Sequence, residues 1–404
     1  MIARFAPSSE GMEGKVKAPP SKSASHRLLI ASALTGEKTA VSNVAFSEDV
    51  KATLDCLRAL GCGVEVNGDE VRLDPTGFLE EKDVVLDCRE SGSTLRFFIP
   101  LCLLTGGRYI LRGSERLLSR PLGVYVSLCE ENGFTFENDG KQLEVSGRLK
   151  RGTYTIDGSV SSQFATGMLF ALSRLGSSRL DLIPPVESRP YIDMTLSSLR
   201  VFGFGAEYEN ENSIRVDGKT GKSPEKLEVE GDWSNAAFLD ALKFVGANVE
   251  VTGLDESSLQ GDKIYKTHFE TLARSFCEID LADTPDLAPV LMAAAALCRG
   301  ARFTSTKRLK IKESDRGEAM KTELAKFGVR ADVREDEITV YPSMIHRPSA
   351  PLDGHNDHRI VMALSTLLLK TGGDIRGCEA VNKSYPDYFE TLRKLKGKVG
   401  IYDS

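Results

Sequence analysis

The chain has 404 residues, of which 41% are hydrophobic and 27% charged, and its net charge is −6 at neutral pH. That length exceeds one ordinary core and predicts two domains of about 200 residues each. The acidic balance excludes broad binding to nucleic acid or to an anionic membrane, which needs a basic face, so an anion site has to be a local cluster of cations.

The longest apolar run, residues 288–298, is far short of the roughly 20 residues a membrane helix needs. The first residues, Met1 to Phe5, show neither a signal-peptide hydrophobic region nor transit-peptide character. Eight cysteines are scattered without a Cys-x-x-Cys pair, which predicts reduced thiols in a cytoplasmic protein and no zinc site. His355-Asn-Asp-His358 has a metal-like look but reads as a polar turn beside a helix start, so no metal is expected.

In chain order, one pattern recurs: an amphipathic helix ending in an apolar–glycine step, then a short alternating strand. It occurs at 53–66, at 125–137 around Gly133, at 194–208 around Gly203 and Gly205, at 238–251 around Gly246 and at 318–333 around Gly328. A degenerate copy at 268–279 has Ser275-Phe276-Cys277 in place of the glycine. Six units, three in each half, predict two domains built from the same α/β module. The boundary falls near Lys226 to Asp232, where Ser223-Pro224 precedes a strand and then Gly231. Residues Ile2 to Pro7 are expected to complete the second domain, giving two chain crossings and a hinge.

Between these units lie stretches that carry chemistry. Ala18-Pro-Pro-Ser-Lys-Ser-Ala-Ser-His-Arg27 leads into an apolar helix, with serines to cap it and Lys22 and Arg27 at the end that attracts anions. Glu90-Ser-Gly-Ser-Thr-Leu-Arg96 opens another helix, where Gly92 lets a ligand approach the backbone; the blander reading pairs Arg96 with Glu90 in a capped core helix. Arg120 precedes a proline-started helix, Ser161-Ser162-Gln163 offers donors ahead of a further one, and Glu187-Ser-Arg-Pro-Tyr191 adds Ser188 and Tyr191.

In the second half, Asp283-Thr-Pro-Asp286 starts an alanine-rich helix that Asp286 could simply cap. Leu309-Lys-Ile-Lys-Glu-Ser-Asp-Arg316 carries three cations and two carboxylates and reads as a strand end turning into a helix. Asn356-Asp-His-Arg359 starts one more helix, and Lys383-Ser-Tyr-Pro-Asp387 precedes the last. Each stretch alone is explained by a cap or a solvated turn. Gathered at one site they hold more cations than acids, the setting two polyanionic substrates need.

These motifs, in order from Pro19-Pro20-Ser-Lys-Ser to Pro386-Asp-Tyr-Phe389, resemble those of the 5-enolpyruvylshikimate-3-phosphate synthases, or 3-phosphoshikimate 1-carboxyvinyltransferases, from end to end. The resemblance implies an α/β fold of two similar domains, each of three βαβαββ repeats with helices packed inside, joined by a two-strand hinge. The N-terminal domain would be 20–229, on the shikimate 3-phosphate side, and the C-terminal domain 1–19 plus 230–404. The implied reaction moves the enolpyruvyl group of phosphoenolpyruvate to the 5-hydroxyl of shikimate 3-phosphate, without metal or cofactor, in a cytoplasmic monomer that binds no nucleic acid and no membrane.

Carried over residue by residue, the resemblance assigns Lys22, Ser23, Arg27, Ser161, Ser162, Gln163, Ser188, Tyr191, Asp286 and Lys312 to shikimate 3-phosphate. It assigns Lys22, Gly92, Arg120, Gln163, Arg316, Arg359 and Lys383 to phosphoenolpyruvate. Asp286 resembles the base for the attacking hydroxyl, Glu313 the acid that protonates the methylene carbon, and Lys22 joins them as catalytic. Placed acids and bases contribute typically about 10²–10⁴-fold each.

Three positions depart from the commonest family pattern: Glu90 in place of asparagine, Phe97 in place of the proline that often follows Arg96, and Arg308 in place of asparagine. Inhibition by phosphoenolpyruvate mimics such as glyphosate is implied, with Gly92 leaving room and Glu90 opposing. The sister transferase acting on UDP-N-acetylglucosamine usually carries cysteine or aspartate in the loop that here runs 112–121, which has neither. A non-catalytic polyanion-binding module is opposed by the acidic charge and by the lack of aromatic stacking motifs.

Overall fold

The computed structural model describes residues 1–80, 83–217 and 221–403. The chain divides into two compact units, one of Pro20–Glu230 and one of Met1–Pro19 together with the chain from Gly231 onward.

Pro20–Glu230 holds three four-stranded sheets of one topology. In the first, Val84–Asp87 runs parallel to Arg108–Arg112, followed by antiparallel Gln142–Ser146 and Thr135–Asn138. Thr153–Asp157, Ser178–Ile183, Ser213–Val216 and Ala206–Asn210 repeat that order. In the third, Thr39–Ser42, Glu70–Asp74 and Gly63–Asn67 receive their leading parallel strand, Lys226–Glu228, from the far end of the segment.

The helices Lys22–Thr35, Gly92–Cys102 and Ser162–Leu175 are buried on almost every face and form the interior of this unit. Phe97 meets Phe170 edge-on with ring centroids 5.7 Å apart. At Gly167 the packing is closest: a Cβ there would lie 2.5 Å from the Arg96 carbonyl oxygen and 2.5 Å from the Tyr125 hydroxyl. Tyr125 Oη bridges the carbonyls of Arg96 (2.8 Å) and Phe164 (3.1 Å), joining two of the buried helices by their backbones.

In the other unit, Cys277–Asp280, Ala301–Thr304, Glu337–Val340 and Ala331–Val333 repeat the same topology. Its remaining sheets depend on the start of the chain. Ile2–Phe5 lies between Gly373–Arg376 and Val399–Tyr402, antiparallel to both, with Leu352–Asp353 on the outer side. Glu13–Lys17 pairs parallel with Asn248–Thr252. The buried helices here are Trp233–Asp240, Ala288–Leu297, rich in alanine, and His358–Thr371. Among the described residues no helix is long and apolar enough to cross a membrane.

The helix–glycine–strand step recurs, with Gly133 and Gly246 both left-handed (φ 68° and 93°). Three local expectations need correction. Residues Lys307–Ile311 form a 3-10 turn rather than a strand end, because the strand has already stopped at Thr304. Asp286 does not cap the alanine-rich helix: it sits within its own 3-10 turn, Pro285–Leu287, one step ahead of Ala288. The helix after Arg120 starts at Gly123 and not at the proline, and the loop before it contains the helical turn Glu115–Leu118, capped by Ser114.

Candidate active site

The charged run ending at Arg316 meets the start of the helix Arg316–Lys326, which Asp315 caps by accepting from the Glu318 N–H (3.2 Å). Capping holds the backbone, so the Arg316 guanidinium is delivered inward, where it is 1% exposed. Its three nitrogens go to three carboxylates: Nε to Asp357 Oδ2 at 2.9 Å, Nη1 to Asp286 Oδ1 at 2.8 Å and Nη2 to Glu313 Oε2 at 2.7 Å. The planar fork of arginine suits such a role, since each edge carries a fixed donor.

Asp286 gathers two further cations, Lys312 Nζ at 3.2 Å and Arg359 Nη2 at 2.9 Å. Arg359 Nη1 also donates to the Asp286 carbonyl (3.2 Å) and to Ser234 Oγ (2.6 Å). Asp357 caps the helix His358–Thr371 by accepting from the Arg359 N–H (2.9 Å) and takes the Ser314 hydroxyl (3.0 Å). Lys383 Nζ donates to the Asn356 carbonyl in the same loop (2.6 Å).

The electrostatics follow from these contacts. Burial acts to raise Asp286, but Arg359, Lys312 and Arg316 outweigh it and hold the carboxyl well below the usual range. Burial pushes Lys312 down to about 8, opposed by Asp286 and assisted by Arg316 and Arg308. Burial works against the Arg316 charge as well, yet Asp357, Glu313 and Asp286 together keep it firmly protonated. Arg308 is buried close by, with its guanidinium on the Ala282 carbonyl.

The loop before Asp357 is held by a second pair. His355 and Asn356 are both left-handed (φ 49° and 51°), and His355 Nε2 meets Glu323 Oε1 at 3.1 Å. Glu323 raises His355 above its ordinary value. A raised histidine contributes its full stability below the unfolded value of about 6.5 and loses it as pH climbs through the folded value. Thermal stability is therefore expected to fall as pH rises above about 6.5 and through the raised value of the folded state. His355→Asn keeps a residue tolerant of left-handed backbone and should flatten that slope in a melting series. An unchanged slope would mean the pair does not hold the loop.

In Pro20–Glu230 the site residues lie at the starts of the buried helices. Ser21 caps Lys22–Thr35, and Lys22 Nζ pairs with Asp49 Oδ2 at 2.9 Å. Arg27 donates to the Ser23 carbonyl (2.9 Å), Thr195 Oγ1 (3.0 Å) and the Tyr191 carbonyl (3.0 Å), and burial lowers it to about 10, so it stays charged near neutrality. Ser91 caps Gly92–Cys102, and a buried chain of 2.8 Å contacts runs from it through Thr94 and Thr53 to His26 Nδ1. Arg96 Nη1 holds Gln163 Oε1 at 2.6 Å while Gln163 Nε2 reaches Ser93 Oγ at 3.0 Å, which fixes the orientation of the amide. Ser161 caps Ser162–Leu175; Ser188 is buried at φ 55° and its side chain makes no cap.

Gly92 faces Arg120: an added Cβ would stand 2.6 Å from Arg120 Nη1 and 3.1 Å from Cζ. Arg120 is itself buried, so it would have to swing away. Gly92→Ala is expected to displace Arg120 and to weaken binding of any anion held by that guanidinium about tenfold, near the value of one charge-assisted hydrogen bond. Anion titration beside a melting curve checks this, and an unchanged affinity would leave Arg120 without a part in anion binding.

The fold thus gathers Asp286, Lys312, Glu313, Arg316 and Arg359 in one unit, with Lys383 on the neighbouring loop. In the other unit it groups Ser23, Arg27 and Tyr191, links Gln163 to the Gly92 turn, and sets Lys22 on Asp49. Sequence reasoning missed Asp357, Ser234 and Asp49, which hold these side chains. Asp357 was within reach, since it stands at a recognised helix start; the other two gave no local signal.

A family model described as EPSP synthase (3-phosphoshikimate 1-carboxyvinyltransferase) matches residues 8–392. The chain is 34% identical over 410 residues to the 3-phosphoshikimate 1-carboxyvinyltransferase of Clostridium kluyveri, covering 96% of each chain. It is 35% identical over 415 residues to that of Methanopyrus kandleri, covering 95% of this chain and 96% of the relative. Among solved structures it is similar to the EPSP synthase of Acinetobacter baumannii, with TM-score 0.79, 21% identity and full coverage of both chains. It is also similar to the enolpyruvyl transferase NikO of Streptomyces tendae, with TM-score 0.78, 14% identity and coverage of 99% and 98%. At such identities the structural likeness speaks to the fold alone.

Proposed function

The chain belongs to the EPSP synthase (3-phosphoshikimate 1-carboxyvinyltransferase) family, and we propose that its two charged clusters divide the work of that family's reaction. The enzyme transfers the enolpyruvyl group of phosphoenolpyruvate to the 5-hydroxyl of shikimate 3-phosphate and releases phosphate. The observation that supports the division of labour best is the Arg316 guanidinium, shared among Asp286, Glu313 and Asp357 at 2.7–2.9 Å.

In this reading Glu313 gives a proton to the methylene carbon and Asp286 takes one from the attacking hydroxyl. A bond forms between the hydroxyl oxygen and C2 of phosphoenolpyruvate. The tetrahedral intermediate then loses phosphate from C2 and a proton from the new methyl group, restoring the enol ether. Lys22, Gly92, Arg120, Gln163, Arg316, Arg359 and Lys383 receive phosphoenolpyruvate. Lys22, Ser23, Arg27, Ser161, Ser162, Gln163, Ser188, Tyr191, Asp286 and Lys312 receive shikimate 3-phosphate.

Asp286 starts as a weak base because cations surround it. Anions that draw Arg359 and Lys312 to themselves strip away two of those cations, so substrate arrival raises its basicity. The domain reading of 20–229 and 1–19 plus 230–404, with hinge strands at the two chain crossings, belongs to the same proposal. So do glyphosate inhibition at the Gly92–Arg120 position, a monomeric state and a cytoplasmic location; for the last, all eight cysteines are free thiols, which suits a reducing compartment.

The deciding experiment measures phosphate release from phosphoenolpyruvate with and without shikimate 3-phosphate, for wild type and Glu313→Gln. Release that needs shikimate 3-phosphate and collapses in the variant is the expected result. Release driven by UDP-N-acetylglucosamine alone, or none with either acceptor, would overturn it.

A further inference from the structure

Asp262 is 2% exposed in the 3-10 turn Gly261–Ile264, and the roles above leave it without a task. Its turn is clamped to the segment that carries Ser234: Gln260 Oε1 accepts from the Trp233 N–H (3.0 Å) and Gln260 Nε2 donates to the Gly231 carbonyl (2.8 Å). The Ser234 hydroxyl bears on the Asp262 carboxyl as a donor that lowers it. An ionised carboxylate can only accept, so the single hydroxyl hydrogen of Ser234 points to Asp262. The serine oxygen is then left to accept from Arg359 Nη1 at 2.6 Å, while Nη2 of the same guanidinium lies on Asp286 Oδ2 at 2.9 Å.

We propose that Asp262 is a positioning residue for Arg359: acting through the Ser234 hydroxyl, it holds the guanidinium against Asp286 and ready for phosphoenolpyruvate. The inference rests on the reading that Arg359 binds that substrate. The groups that bear on Asp262 are the carboxylates Asp286 and Asp232, the Ser234 hydroxyl and the Arg359 guanidinium. Burial, helped by Asp286, pushes the Asp262 carboxyl up to about 6 against the pull of Arg359 and Ser234. Above that value the carboxylate orients the hydroxyl. Below it, the carboxylic acid O–H competes with Arg359 Nη1 for the serine oxygen, and the grip on Arg359 loosens.

The test is kcat/KM for phosphoenolpyruvate from about pH 5 to about pH 8 at saturating shikimate 3-phosphate, in wild type, Asp262→Asn and Ser234→Ala. Wild type should lose efficiency as pH falls through about 6, and both variants should lose that bend. The ratio of wild type to variant therefore falls toward acid, and taking the ratio cancels the ionisation of the substrate's own phosphate. Ser234→Ala should raise KM for phosphoenolpyruvate about tenfold and change KM for shikimate 3-phosphate by less than about twofold.

Ser234→Thr keeps the hydroxyl and should restore the KM, and Asp262→Asn should add nothing in the Ser234→Ala background. Should Asp262→Asn fail to fold, the Ala and Thr variants at 234 decide alone. A ratio that is flat or rises toward acid, or an unchanged KM in Ser234→Ala, overturns the inference while leaving the enzyme active. A wild type that releases no phosphate with shikimate 3-phosphate would instead bring down the functional reading and this inference with it.

Discussion

Replacing Arg316 with methionine is expected to lower folding stability by about 3–5 kcal/mol and to abolish turnover. The side chain is 1% exposed and its partner Asp357 is completely buried. Methionine fills much of the volume yet leaves the carboxylates of Asp357 and Glu313 without their shared cation. A buried charge stripped of its partner is far more unfavourable than the intact pair was favourable. Arg316→Lys separates the two effects: it keeps a positive charge but replaces three directed donors by one compact ammonium. It should recover part of the stability and little of the activity. Urea unfolding and phosphate release measure the two quantities, and a methionine variant as stable as wild type would contradict the three-way contact.

Asp286→Asn is expected to lower kcat by about 10²–10⁴-fold with the fold intact, the usual range for a lost general base. A second effect tells this apart from simple damage. Lys312 already sits at about 8, burial lowering it and Asp286 holding it up. Wild type should therefore lose affinity for shikimate 3-phosphate as pH rises through about 8, where the ammonium becomes neutral. With Asp286 neutral, that loss should begin at lower pH, and Lys312→Arg should remove it. Full activity in Asp286→Asn would pass the base to another group. An unmoved basic limb would separate Lys312 from the acceptor.

The starts of the helices were legible because capping is local: Ser21, Ser91, Ser161, Asp315 and Asp357 each accept from a backbone N–H two or three residues on. The cations beside them could be read for the same reason. What local pattern could not supply was the partner of each. Ser234 and Arg359 meet across 125 positions, and Arg316 and Asp357 across 41. No spacing rule connects such pairs; packing of the buried helices does. The charged run from Leu309 to Arg316 misled for another reason. Leu309 and Ile311 alternate like a strand, but the pairing partners end at Thr304 and Glu337, so the backbone has no ladder left to join.

The placement of Ile2–Phe5 in the middle of a sheet also fixes an order of events during synthesis. Among the described residues, the three four-stranded sheets of Pro20–Glu230 draw all their strands from that segment, so their ladders can close as soon as Lys226–Glu228 leaves the ribosome. Ile2–Phe5 is made first and waits for Gly373–Arg376 and Val399–Tyr402, a delay of roughly 20–75 s at translation rates of about 5–20 residues per second. For that interval a nascent strand with both edges open travels ahead of a finished neighbour. Its sequence, Ile-Ala-Arg-Phe, sets a charge among the apolar residues, the kind of gatekeeper that keeps a waiting edge from pairing with the wrong chain.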